Sequence, residues 1–157
     1  MLFILIILSG PGCHAEAEVI ISIKEIQKIT YHFGDASVPP EYHRSYSVAV
    51  TADKVRIVVD SYGEILADKE YKINDKQFSE IKDSFNKYKI RNCKRGENEG
   101  CTGGTSEKIS CSDEKKEVFS GSVYHCGGED TGNLCGDIKN FANDIKKLIP
   151  DLDALVR

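Results

Sequence analysis

The sequence predicts an α+β fold: an antiparallel sheet in the order β-βββ-α-ββ-α, with two helices packed on one face and a disulfide-stapled C-terminal half. Three observations predict it. Apolar residues alternate with polar ones in several short runs separated by tight turns, the mark of half-buried antiparallel strands. Two other stretches carry apolar residues at three- and four-residue spacing, the mark of a helix lying on a sheet. Five of the six cysteines fall between Cys93 and Cys135. Strand runs closed by a helix, twice over, belong to the α+β class.

The first strand is expected over Ile26 to Phe33, where Ile29, Tyr31 and Phe33 alternate with Thr30 and His32. Gly34 to Glu41 reads as a loop by its Gly and Pro content, with Pro39-Pro40 extended and stiff. Tyr46, Val48 and Val50 mark the second strand, and Val55, Ile57 and Val59 the third. Thr51-Ala52-Asp53-Lys54 turns the chain between them. Ser61-Tyr62-Gly63-Glu64 turns it again into a strand from Ile65 to Ile73, completing a meander. Asn74, with Gln77 three residues later, resembles a capping box, and Phe78, Ile81, Phe85 and Tyr88 form the apolar stripe of the first helix. Arg91 to Ser106 is Gly-rich, polar and without period. Strands are expected at Lys108–Cys111 and Glu117–Tyr124, joined by Ser112-Asp113-Glu114-Lys115. The second helix is expected from Gly136 to Ile149, with Pro150 ending it.

At 157 residues, 40 % of them apolar and 29 % charged, the composition is that of a globular protein. A net charge of −4 argues against a nucleic-acid partner, which calls for a basic excess. Leu2 to Leu8 are seven apolar residues in a row, enough for the core of an export signal and too few to span a bilayer. Residues 1–17 are therefore expected to be an export segment and 18–157 a single α+β domain. Ala15-Glu16-Ala17 offers a cleavage site that releases a periplasmic or secreted chain from Glu18. Gly12-Cys13 resembles the end of a bacterial lipobox, which implies a lipoprotein anchored through Cys13. Gly10 stands where the usual Leu of that motif would be.

An exported chain meets an oxidising compartment, so disulfides are the default. The short polar loops favour Cys93–Cys101 and Cys126–Cys135, leaving Cys111 unpaired, although spacing alone leaves other connectivities open. No close cysteine pair of zinc-site spacing exists, and His32, His43 and His125 lie far apart in sequence, so no metal site is expected. His125 and Cys126 are neighbours on a strand and point to opposite faces, which argues against a thiol–imidazole pair. Glu129, Asp130 and Asn133 are oxygen ligands without the spacing of a calcium loop. The same loop lacks the Lys of a phosphate-binding loop. No nucleophile elbow is present, no catalytic residue is assigned and no cofactor is expected.

Ser120-Gly121-Ser122-Val123-Tyr124 matches S-G-x-x-Y and resembles the signature of several bacterial periplasmic lysozyme inhibitors. The resemblance implies a loop entering the lysozyme cleft with a Ser hydroxyl on its catalytic acids, and makes Ser120, Ser122 and Tyr124 the candidate binding residues. It covers five residues, and the expected helices depart from the mainly β inhibitors. The expected function is a non-catalytic binding or structural module of the cell envelope, with an envelope or secreted protein as partner. One alternative is an inhibitor of a secreted hydrolase such as lysozyme. A second is a small hydrolase using acids among Glu97, Glu99, Glu107, Asp113, Glu114 and Glu117. Membrane contact is expected only through an anchor at Cys13.

Overall fold

The computed structural model describes residues 25–95 and 102–157. The segment expected to direct export, with Cys13, and Glu97, Glu99 and Cys101 lie outside them. Nine strands and three helices follow one another: β1 (Lys28–Gly34), β2 (Ser45–Val50), β3 (Lys54–Ser61), β4 (Glu64–Lys72), α1 (Asp75–Lys87), β5 (Arg91–Asn92), β6 (Thr105–Ser112), β7 (Glu117–Cys126), β8 (Glu129–Gly132), β9 (Leu134–Cys135), α2 (Ile138–Lys146) and α3 (Leu152–Leu155). Seven of the strands form one antiparallel sheet in the order β4-β3-β2-β1-β6-β7-β8, and β5 pairs with β9 in a two-stranded ribbon.

Strand alternation divides the sheet into a buried and an open face. Ile29 and Tyr31 of β1, Val48 and Val50 of β2, Val55, Ile57 and Val59 of β3, Ile109 of β6 and Val123 of β7 are almost wholly buried. Phe78, Ile81 and Phe85 of α1 and Phe141, Ala142 and Ile145 of α2 close over them. Phe85 meets Phe119 of β7 and Phe141 of α2 edge-on, with centroids 5.1 and 5.8 Å apart, locking both helices to the sheet. The other face carries Thr30, His32, Ser47, Ser110 and Ser122. Among the described residues no helix is long and apolar enough to cross a membrane.

Local chemistry explains the boundaries. The Asn74 side chain accepts from the Gln77 amide at 3.0 Å, and Gln77 Oε1 accepts from the Asn74 amide at 3.1 Å, so a complete capping box starts α1. Tyr62 and Gly63 join β3 to β4 with φ of 50° and 91°, the left-handed pair that a two-residue hairpin needs. The pairing then slips between Val59 and Asp60. Val59 faces Ala67 while Asp60 faces Ile65, which leaves Leu66 as the extra residue of a bulge.

Three expectations need correction. The stretch from Cys126 to Asn133 is not all loop: Gly127 and Gly128, with φ of 63° and 84°, make a tight hairpin from β7 into β8. The second helix is shorter than Gly136 to Ile149, because Asp137 caps it by accepting from the Asn140 amide. Residues 147–149 leave it through turn hydrogen bonds. The cysteine pairing also differs. Cys93 bonds Cys135, not Cys101, since β5 and β9 lie side by side and bring their Cα atoms to 5.8 Å. Cys126 is in a disulfide whose partner is not Cys135 and lies outside the described residues. Cys111 is a buried free thiol.

Candidate functional site

Two regions stand out, one polar and one apolar. The polar one gathers side chains from six parts of the chain at the end of the buried face. His125, near the end of β7, lies between two carboxylates. Its Nδ1 is 2.6 Å from Asp130 Oδ1 on β8, and its Nε2 is 3.0 Å from Glu107 Oε2 on β6. The Tyr31 hydroxyl of β1 donates to the other Glu107 oxygen at 2.6 Å. Arg95, just past β5, donates to Asp130 Oδ2 and to the Leu134 carbonyl, both at 3.0 Å. Lys146 of α2 stands over the Tyr31 and Tyr46 rings, 5.6 and 5.9 Å from their centroids.

The electrostatics follow from these contacts. Burial opposes the charge on His125, but its hydrogen bonds to the Asp130 and Glu107 carboxylates outweigh that and raise the imidazole pKa above 6.5. The His125 hydrogen bond, with the Arg95 guanidinium, holds the Asp130 carboxyl below its ordinary range. Burial and the Glu107 carboxylate push the Tyr31 phenol upward. The Tyr31 hydroxyl and the Arg95 guanidinium already have acceptors, and no Ser or Cys nucleophile contacts His125 in these hydrogen bonds. The arrangement is a closed clasp of charges. Among the described residues no group of three His, Cys, Asp or Glu could hold a metal ion. Asp130 is engaged as above, and Asn133 Oδ1 accepts from the Ser122 amide.

The apolar region lies at the other side of the sheet. Among the described residues, Tyr42, Tyr62, Ile65 and Leu66 are the exposed large hydrophobic ones, at 68, 57, 63 and 43 %. All four belong to two adjoining pieces of chain, the loop between β1 and β2 and the tip of the β3–β4 hairpin. The Tyr62 hydroxyl donates to the Val38 carbonyl at 2.6 Å, and the Ser61 hydroxyl to the Pro40 carbonyl at 2.8 Å. The Tyr62 ring stacks on buried His43 at 4.0 Å. Asp35 closes the loop by accepting from the Ala36 and Arg44 amides. Exposed Glu41 and Glu64 flank the apolar residues, and neither has an ion-pair partner among the described residues.

Ser120, Ser122 and Tyr124 are brought together, but elsewhere. They stand in one line on the open face of β7, opposite Ser110, Lys108 and Ser106 of β6. The Tyr124 hydroxyl accepts from the Gly104 amide at 2.9 Å. Gly121 turns toward β9: a Cβ there would lie 2.8 Å from Asn92 Oδ1 and 3.0 Å from Leu134 Cδ1. The motif is thus mid-strand, and its glycine makes room for β9. Asp113 caps its own turn by accepting from the Lys115 and Lys116 amides. The residues that sequence reading missed are Tyr42, Tyr62, Ile65 and Leu66. One signal was present: Ile65 and Leu66 are adjacent, so strict alternation cannot bury both. Compared with known proteins, the chain matches no family, no curated protein and no solved structure.

Proposed function

We propose that the chain is an exported, non-catalytic module that binds another protein through the corner built by Tyr42, Tyr62, Ile65 and Leu66. One observation carries this reading: the exposed large hydrophobic residues gather on two adjoining pieces of chain instead of scattering. Contiguous exposed apolar surface rimmed by polar groups is typical of protein contacts. Tyrosine suits such a role, because its ring buries a large area at small entropic cost. Tyr62 also holds a left-handed backbone conformation that Gly or Asn would adopt more easily. The acids Glu41 and Glu64 select for a partner with basic side chains around an apolar pocket. Export supports an envelope or secreted partner, either for a soluble chain or for one anchored at Cys13. Inhibition by insertion of S-G-x-x-Y into a cleft gains no support from a motif that lies in the middle of a strand.

The test begins with full-length protein expressed in a bacterial host and fractionated, with intact mass measured in the soluble and membrane pools. The protein is then immobilised and exposed to envelope extract beside Ile65→Lys and Leu66→Lys variants. The expected result is a partner retained by the wild-type chain and lost by both variants, whose stability stays within about 0.5 kcal/mol of wild type. Equal retention by all three would overturn the binding corner. Turnover in a glycan or peptide panel, abolished by one acid substitution, would overturn the non-catalytic reading.

A further inference from the structure

We infer that His125 is a pH-operated clasp that fastens β8 to the main sheet in mild acid and loosens it in base. Both ring nitrogens of His125 face carboxylate oxygens, at 2.6 and 3.0 Å. A neutral imidazole carries one N–H and can satisfy only one of them. The second contact then sets lone pair against lone pair at hydrogen-bonding distance. Only the imidazolium donates to both, and only it balances the two carboxylates together with Arg95.

The groups that face the site from each surrounding element are few. They are Glu107 from β6, Asp130 from β8, Arg95 after β5, Tyr31 from β1 through Glu107, and Lys146 of α2 over the Tyr31 ring. Cys126, next in sequence, is disulfide-bonded and does not titrate. β8 is the last strand of the sheet and pairs with β7 alone over four residues. Asp130 is its one side-chain tie to His125 and to Arg95. When His125 loses its proton, that side-chain tie weakens, while the ladder to β7 and the disulfides at Cys126 and Cys93–Cys135 keep the flanks of β8 in place, so the loosening is confined to β8. The direction agrees with the raised pKa of His125: the stabilisation is complete below 6.5 and is lost as pH rises through the higher folded value.

Amide hydrogen exchange on the folded protein between pH 5 and 9, corrected for intrinsic rates, tests the idea, with an NMR titration of the His125 ring beside it. The β8 amides are expected to lose protection several-fold relative to β2 as the ring gives up its proton, the direction that a raised pKa requires. His125→Gln should abolish that pH dependence, and Asp130→Asn should move it to lower pH. A His125 pKa at or below 6.5 would overturn the clasp. So would β8 protection that stays level with β2 at every pH, or a His125→Gln protein that keeps the wild-type pH profile. The ring titration reads the wild-type chain directly, so the test survives a variant that fails to fold.

Discussion

Cys111 shows how burial decides chemistry at the scale of one residue. Its thiol lies on the covered face of β6, opposite Ile29, and burial pushes its pKa up to about 12. The thiolate is the reactive form, so the native protein is expected to resist a maleimide at neutral pH and to react once denatured. Fast labelling without unfolding would contradict that placement. That a cysteine would be left over was legible from the odd number in the C-terminal half, whereas the choice of Cys111 rested on loop pairings that the structure overturns. The role of His125 was not. Its partners stand at positions 31, 95, 107 and 130, and no local pattern joins them. Its neighbour Cys126 drew attention instead, although strand geometry turns the two side chains apart.

At the scale of elements, strong local signals were legible and weak ones were not. The stripe of Phe78, Ile81 and Phe85 and the cap at Asn74 defined α1 without help from the rest of the fold. Asn74→Ala is expected to cost about 1 kcal/mol, read from urea denaturation, because it leaves the Gln77 amide without its acceptor. β5 and β9 are two residues each and exist because they pair with each other. Their propensities carry no such information. Gly121 belongs to this scale as well, since its missing side chain is what lets β9 approach β7. Gly121→Val is expected to destabilise the fold by about 1–3 kcal/mol through crowding against buried Leu134. Ser122→Ala, exposed on the open face, should stay within about 0.5 kcal/mol. A reversed order in thermal melts would mean that the hydroxyls, not the glycine, explain the motif.

At the scale of the molecule, the fold class was readable because it rests on element order and period. The cysteine connectivity was not, because it depends on which distant segments lie side by side. Cys93–Cys135 closes a span of 42 residues that includes β6, β7 and β8. On the chain-entropy account the bridge contributes about 4 kcal/mol, so a Cys93→Ser, Cys135→Ser protein should melt well below the wild type. An unchanged melt would show that the β5–β9 ribbon holds itself. The charges add a pH window of their own. Asp130 contributes fully above 3.8 and loses its part as pH falls through its depressed value, while His125 contributes fully below 6.5. Their share of the folding free energy should therefore be largest between those two values and decline on either side.

The strand order carries a consequence for assembly of the chain. β1 to β4 is one run of neighbours and β6 to β8 is another, and the sheet becomes continuous only where β1 meets β6. That seam joins residues such as Tyr31 and Glu107, 76 positions apart along the chain, whereas every other junction in the sheet links strands consecutive in sequence. Contacts of long sequence separation form late, so the two runs are expected to fold first and the seam to close last. Until it closes, β1 holds a bare edge beside a finished meander. Another unfinished copy can offer its own β6 there as readily as the parent chain can, which makes the seam the place where a crowded population of new chains would exchange halves.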